Sequence, residues 1–142
     1  ILWSKMVFSL KYKPIKLFSG AVIYRPMIAV TFVGKEKVDV FAMLDSGLDI
    51  SIIPKDMASI LDVKYHATNE ISGISGIKVP AKEGKITINF GKDREFYSFD
   101  IPVFVLEREN VPVIIGRAGF FEQFDITFSE LIKRILFKKI GK

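Results

Sequence analysis

The segment FAMLDSGLDISIIP (residues 41–54) ends an apolar run with two carboxylates, Asp45 and Asp49. The run VDVFAML before Asp45 is typical of a buried β-strand. A charged carboxylate in such surroundings is destabilising unless it is paired or hydrogen-bonded. Gly47 supplies the backbone freedom that a tight turn needs, and Ser46 can donate or accept a hydrogen bond at its base. The segment therefore predicts a carboxylate presented where a buried strand breaks into a tight loop.

A second carboxylate facing the first would explain why the chain keeps Asp45 there. Two such acids can share one proton, so that one stays anionic and the other neutral, and this arrangement activates a water molecule against a peptide carbonyl. The sequence contains Asp-Ser/Thr-Gly only once. A second chain must therefore supply the other half of such a dyad. The alternative is that Asp45 is an ordinary turn carboxylate, because Asp-Ser-Gly is a common turn composition.

The composition is that of one packed domain. The 142 residues are 49% hydrophobic and include 13 Phe, which excludes a disordered chain. Charged residues interrupt every apolar run before the roughly 18 residues needed to cross a bilayer, so we expect no membrane partner. With no Cys and with His66 as the only His, the chain lacks a thiol nucleophile and the several Cys or His ligands of a zinc site. We expect a cytoplasmic protein without a metal or a cofactor.

The net charge is positive. The formal charge is +5 and the isoelectric point is near 9.4, and the excess of Lys and Arg is concentrated near both chain ends. Basic proteins of this kind include nucleic-acid binders. A solvated basic surface explains the same pattern, and no nucleic-acid motif accompanies it. We therefore rank nucleic-acid binding last among the functions considered.

Strands dominate the predicted secondary structure. Residues 25–34 predict a strand with Ile28, Val30 and Phe32 on one face and Ala29, Thr31 and Val33 on the other, and 38–44 follows as its hairpin partner. A second hairpin is predicted from 85–90 and 96–106, joined by the turn GKDRE. The run VPVII (111–115) reads as a short, fully apolar strand.

Helical signals are few. Residues 54–63 predict a short helix with Pro54 in its first turn and Met57, Ile60 and Leu61 on one side. Residues 117–124 predict a second helix of about two turns. His66 is expected on the surface of a loop. The sequence thus predicts an all-β fold, a closed barrel or sandwich, with one or two short helices.

Three landmarks resemble the retropepsins, the single-domain aspartic proteases of retroviral type. MLDSGLDISII (43–53) follows their active-site pattern, with Leu48 in place of the usual Ala. EISGISGIKV (70–79) resembles the Gly-rich flap that folds over their substrate. VPVIIGRAGFFEQFDITF (111–128) resembles their Ile-Ile-Gly-Arg segment with its short helix and closing strand. The ordered landmarks extend the resemblance over about residues 23–137, and it implies the acid-protease fold.

The resemblance also implies roles for individual residues. Asp45 would be the catalytic carboxylate, Ser46 would form a hydrogen-bonded lock between subunits, and Gly47 would present its carbonyl to the substrate backbone. Asp49 would bind the substrate main chain and pair with Arg117, whose guanidinium can hold a carboxylate with two parallel hydrogen bonds. The residues implied in substrate binding are Leu48, Asp49, Ser72, Gly73, Ile74, Val113 and Ile114, and those that support the site are Gly116 and Arg117.

These expectations describe a homodimeric aspartic endopeptidase that acts on peptides or unfolded proteins at acidic to mildly acidic pH. Residues 23–142 would form the protease domain, and residues 1–22 an N-terminal extension that packs on the domain or on the dimer interface. The segment RILFKK (134–139) is expected to pair within its own subunit. A peptide-binding or dimerisation module without proteolytic activity is the alternative on the same fold.

Overall fold

The computed structural model describes residues 7–72, 76, 78–108 and 110–140, and for Asn69 and Ser72 only the backbone. These residues form the following elements: β1 (Val7–Lys11), β2 (Lys13–Lys16), β3 (Val22–Arg25), β4 (Met27–Val33), β5 (Lys37–Leu44), β6 (Ser51–Pro54), α1 (Lys55–Leu61), β7 (Lys64–Ser72), β8 (Lys78–Lys92), β9 (Glu95–Leu106), β10 (Ile114–Ile115), β11 (Phe124–Ser129) and β12 (Arg134–Lys139).

The main sheet is closed into a barrel. Its strands are ordered β4-β5-β10-β6-β9-β8-β7, and β4 also pairs with β8. That extra pairing, which places Phe32 opposite Ile88, joins the first strand of the sheet to one near its other end. Closure removes most unpaired edges and encloses one apolar interior. The predicted all-β closed fold is confirmed.

The first predicted hairpin is present. Strands β4 and β5 pair antiparallel from Met27 opposite Met43 to Val33 opposite Lys37. The alternation along β4 places Ile28, Val30 and Phe32 in the core while the intervening side chains remain partly or fully exposed. A period-2 apolar pattern on a strand that is buried on one face produces this arrangement.

The second hairpin is longer than the sequence predicts. Strand β8 begins at Lys78 rather than at residue 85, and the turn is the pair Asp93–Arg94 rather than the whole of residues 91–95. His66, expected in a loop, lies in β7, although its side chain is exposed as expected. Backbone pairing of β7 with β8 imposes strand structure on a segment whose own sequence is polar and lacks a clear period.

One of the two predicted helices is present. Helix α1 spans Lys55–Leu61, with Pro54 in an extended conformation as its N-cap. Its buried residues are Ala58 and Leu61, whereas Ile60, predicted on the same side as Leu61, is exposed. The side of the helix that faces the core is therefore rotated from the one predicted.

The helix predicted over 117–124 is wrong. The backbone there forms consecutive turns, with one hydrogen bond from the Phe121 amide to the Arg117 carbonyl (2.9 Å) and one from Gln123 to Phe120 (3.0 Å). Gly119 has a φ of +80°, which a right-handed helix does not allow. The strand predicted over 111–115 is also shorter, since only Ile114–Ile115 pairs.

The segment RILFKK pairs within its own subunit, as predicted. It is β12, and it lies between β1 and β11 in a separate three-stranded antiparallel sheet, here called the terminal sheet. Phe8 of β1 stacks on Phe137 of β12 with ring centroids 5.2 Å apart, and both rings contact Phe90 of the barrel. Aromatic packing therefore joins the terminal sheet to the barrel core. The division of the chain at residue 22 stays a prediction.

Replacing Phe8 by Ala tests this integration. The side chain is 8% exposed, and removing it leaves a cavity between β1, β12 and the barrel, so the free energy of unfolding should fall by about 3 kcal/mol. Val7→Ala is the matched control, because Val7 is exposed on the same strand and its loss should cost less than about 0.5 kcal/mol. Denaturant titration measures both values. Equal losses for the two variants would contradict the packing of β1 described above.

Candidate active site

Asp45 follows directly after the last residue of β5, and its position is determined by β10. This short strand lies between β5 and β6, parallel to the first and antiparallel to the second. The Met43 amide donates to the Val113 carbonyl (3.0 Å), and the Asp45 amide donates to the Ile115 carbonyl (2.9 Å). The backbone of Asp45 is thus attached to the barrel by a hydrogen bond that continues the β5–β10 ladder.

The loop after Asp45 turns back on its own carboxylate. The Gly47 amide donates to Asp45 Oδ1 (2.8 Å), and the Leu48 amide donates to the Asp45 carbonyl (3.3 Å). The first bond orients the carboxylate, and the second closes the backbone turn. Asp45, Ser46 and Gly47 are all exposed.

The structure places the carboxylate where the sequence predicts it, at the point where a buried strand ends in a tight loop. The strand before Asp45 is buried, with Leu44 only 3% exposed, but Asp45 itself lies beyond the strand end. Within a single chain the charge therefore carries little desolvation cost. Any burial of Asp45 requires another molecule to cover the loop.

The segment after β10 holds the other side of the loop. The Arg117 amide donates to the Leu48 carbonyl and the Ala118 amide to the Asp49 carbonyl, both at 2.8 Å. The guanidinium of Arg117 forms an ion pair with Asp49, so the predicted pair is confirmed. Their side chains are 54% and 78% exposed, and such a pair contributes at most about 1 kcal/mol to stability. The ion pair orients two side chains beside Asp45 more than it stabilises the fold.

Gly116 is required by close packing of two backbones. A Cβ atom at this position would lie 2.7 Å from the Leu48 carbonyl oxygen and 3.1 Å from the carbonyl carbons of Asp49 and Ile50. Backbone atoms cannot move aside as a flexible side chain can. Any larger residue at 116 would push the segment away from the loop.

Ser51 is a supporting residue that the sequence analysis did not identify. It is fully buried, and its Oγ accepts a hydrogen bond from the Gly116 amide (3.0 Å). The bond ties β6 to the turn that carries Arg117. A hydroxyl among apolar residues in a buried strand was the available signal, since a buried polar side chain needs a partner.

The expected substrate-binding residues differ in how much surface they offer. Leu48 and Ile114 are half-buried, whereas Val113 is a core residue and is only 6% exposed. Of the two residues expected from the β10 segment, Ile114 therefore has more surface available to line a pocket.

The expected flap falls on the end of the β7–β8 hairpin. Residues 81–85 of β8 pair with both β7 and β9, whereas residues 78–80 pair only with β7. The hairpin thus extends past the barrel as a two-stranded arm. Ser72 is the last residue of β7, and Gly73, Ile74 and the side chain of Ser72 lie outside the described residues.

Two classes of feature are not found in the part of the chain that the structure describes. No three His, Cys, Asp or Glu side chains there are grouped so as to hold a metal ion. No helix among the described residues has the length and apolar character needed to span a membrane.

The sequence profile of the retroviral aspartyl protease family matches residues 23–127. The chain belongs to this family. The match includes the Asp45 loop, the β7–β8 hairpin and the segment that carries Arg117. None of the curated protein sequences is similar enough to the chain to count as a match.

Solved structures of retropepsin-like proteases share the fold. A retropepsin-like aspartic protease from Rickettsia conorii superposes with a TM-score of 0.54 at 17% identity, over 92% of this chain and 91% of that one. The EIAV protease, complexed with the inhibitor HBY-793, superposes with a TM-score of 0.51 at 21% identity, over 66% of this chain and 82% of that one. At these identities the likeness establishes the acid-protease fold of the chain, while the roles of its individual residues stay predictions.

Replacing Ser51 by Ala tests how the loop is supported. The change leaves the buried Gly116 amide without its acceptor, so the free energy of unfolding should fall by about 1–3 kcal/mol. Ser59→Ala is the control, because the Ser59 hydroxyl donates to the Lys55 carbonyl on an exposed helix surface and its loss should cost less than about 0.5 kcal/mol. Denaturant titration compares the two variants. A neutral Ser51→Ala would show that the hydrogen bond does not hold the segment.

Proposed function

We propose that this protein is a homodimeric aspartic endopeptidase whose active site contains Asp45 from each of two chains. The observation that carries the proposal is the exposed, hydrogen-bonded Asp45 loop in a chain of the retroviral aspartyl protease family that holds a single Asp-Ser-Gly. A lone exposed carboxylate has no partner with which to share a proton. A second copy brings an identical carboxylate and covers the exposed loop.

In the proposed reaction, water is the nucleophile and the two acids exchange protons with it. The ionised Asp45 removes a proton from the water as its oxygen attacks the peptide carbonyl carbon. The protonated Asp45 of the partner subunit donates to the carbonyl oxygen, which gives a tetrahedral diol. As the C–N bond breaks, the protonated carboxyl group protonates the leaving amine, and the other carboxylate takes a proton from a hydroxyl of the diol, whose oxygen becomes the carbonyl oxygen of the released acid. The pair thereby returns to its singly protonated form.

The surrounding residues have proposed roles in holding the substrate. Gly47 presents its carbonyl to an extended peptide, and Asp49, oriented by Arg117, binds the peptide main chain. Ser46 links the two loops beneath the dyad. These roles are supported by the exposure of the loop and by the Asp49–Arg117 pair.

Substrate preference is proposed to follow from apolar pockets and a covering hairpin. Leu48, Ile114 and Val113 form the pocket walls in this proposal, and Ser72, Gly73 and Ile74 belong to the flap. The two-stranded end of the β7–β8 hairpin supports the flap role, because such an extension has few tertiary contacts to hold it in one position. Leu48 is larger than the Ala usual in the resembled family and narrows the pocket beside the dyad.

Location and domain division belong to the same proposal. The absence of Cys supports a cytoplasmic location. The start of the family match at residue 23 supports an N-terminal extension over 1–22 and a protease domain over 23–142.

Replacing Asp45 by Asn tests the chemistry. The amide cannot act as a base, so cleavage of an unstructured protein should fall by at least about a thousandfold while the dimer stays folded. Asp56→Asn is the matched control, since Asp56 is an exposed acid in the first turn of α1. The peptidase activity of this variant should equal that of the wild type. Peptidase assays from acidic to neutral pH, with sedimentation analysis, measure both properties.

The same assays separate the protease from a binding module. Because two adjacent carboxylates work only while they share a proton, activity should be highest at acidic to mildly acidic pH and should fall toward neutral pH. Full activity of Asp45→Asn would overturn the assignment. Tight peptide binding by the wild type without any cleavage would identify a binding module instead.

A further inference from the structure

The terminal sheet engages both ends of the described chain within one subunit. Strand β12 pairs on one side with β1 and on the other with β11, so each of its edges is occupied by the same chain. Phe8 and Phe137 bury the inner face of this sheet against the barrel. A second copy therefore cannot insert a strand beside β12 without displacing one that is already packed. A contact between copies that leaves β12 in place therefore uses other surface.

The β2–β3 hairpin is the part of the described chain that is not integrated into the barrel or the terminal sheet. Its strands pair antiparallel from Lys13 opposite Arg25 to Lys16 opposite Val22, and within the described residues they pair with no other strand. An isolated two-stranded hairpin is marginally stable in water. Packing against a further surface stabilises such a hairpin.

One face of this hairpin is exposed and partly apolar. Pro14, Val22 and Tyr24 are exposed on that face, and Val22 and Tyr24 have exposed fractions of 50% and 48%. At the tip, Phe18 is 114% exposed, the full exposure of an isolated side chain, and Leu17 beside it is 40% exposed. Contiguous exposed apolar side chains of this kind mark interaction surfaces.

The hairpin rises from the end of the barrel that carries Asp45. The residue after β3 is Pro26, and its carbonyl accepts a hydrogen bond from the amide of Leu44, the residue before Asp45 (3.0 Å). The ammonium group of Lys13 lies 4.0 Å from the ring centroid of Phe41 on β5, which fixes the base of the hairpin against the same strand. Any molecule that covers the Asp45 loop therefore approaches the base of the hairpin.

Charge indicates which surface the hairpin meets. The hairpin contains Lys13, Lys16 and Arg25, and the first acidic residue of the chain is Glu36. Two hairpins packed directly against each other would bring like charges together. An open depression beside the Asp45 loop is lined by Asp49, Arg117, Phe121 and Glu122. Arg117 is paired with Asp49, which leaves Glu122 as the lining carboxylate that forms no ion pair with another described residue. A second copy thus presents an acidic group close to its own Asp45 loop.

We propose that the β2–β3 hairpin is a dimerisation arm that packs its exposed face and tip on the second copy, beside the paired Asp45 loops. This inference rests on the proposed function, because the site needs a second chain. It specifies which surface recruits that chain. The hairpin contributes apolar contacts at the rim of the site and basic groups that complement the Glu122 carboxylate of the second copy.

Removing the apolar contacts tests the arm. The double variant Phe18→Ser, Tyr24→Ser should raise the dimer dissociation constant on the order of tenfold or more, since central aromatic residues dominate interface affinity. Activity should fall at low protein concentration and recover at concentrations that restore the dimer. Ile60→Ser is the matched control, because Ile60 is 48% exposed near the end of α1, which bonds to the β4–β5 turn through the Lys35 amide and the Leu61 carbonyl (2.9 Å), at the end of β4 opposite the hairpin, and should leave the dimer unchanged. Sedimentation equilibrium and concentration-dependent assays give both readouts.

Hydrogen exchange of the wild type provides a test without any variant. Amides of β2 and β3 should become more protected as concentration rises through the monomer–dimer transition. Unchanged dimerisation of the double variant, or unchanged protection of the hairpin, would overturn the arm. Protection that appears with phosphatidylglycerol vesicles or single-stranded DNA instead of with concentration would also overturn it and identify that partner.

The outcomes separate this inference from the function on which it rests. If the wild type is a dimer that cleaves through Asp45 and the hairpin does not affect dimerisation, the arm is excluded and the protease assignment stands. If the dimer depends on the hairpin but cleaves nothing, the arm stands and the protease assignment is excluded. A wild type that is monomeric at every concentration excludes both.

Discussion

The site depends on the insertion of two residues, Ile114 and Ile115, between strands β5 and β6. This short strand pairs parallel with one neighbour and antiparallel with the other, and its last carbonyl accepts the hydrogen bond from the Asp45 amide. The next residues hold the far side of the loop through the Leu48 and Asp49 carbonyls. A loop that would otherwise move freely is thereby attached to the closed barrel at both ends.

This constraint accounts for the residues around the loop. Gly116 permits the close approach of the two backbones, and the Ser51 hydroxyl accepts the hydrogen bond from the buried Gly116 amide. Arg117 follows at the position from which its guanidinium reaches Asp49. Each of these residues supports the same geometry, and together they orient the Asp45 carboxylate without burying it. The arrangement is open on one side, and that openness is why a second chain enters the proposed mechanism.

The family match does not cover every strand of the chain. The barrel and the Asp45 loop belong to the matched region, whereas β1, β2 and β12 lie outside it. Strands β1 and β12 join β11 in a sheet that packs on the barrel through aromatic rings. Because both edges of β12 are occupied within one subunit, the exposed hairpin of β2 and β3 is the surface that we propose for contact with a second copy.

Local sequence determined the hairpin of β4 and β5, the closing segment RILFKK, the family and the Asp49–Arg117 pair, because alternation and ordered motifs are encoded by neighbouring residues. Tertiary structure alone decided that residues 64–72 are a strand, that residues 117–123 form turns with Gly119 at positive φ, and that Ser51 supports the loop. It also decided that Asp45 is exposed. The residue lies one position beyond a buried strand, and only the packing of distant segments determines whether other atoms cover it. Pairing partners and burial arise between distant segments, and no local pattern contains them.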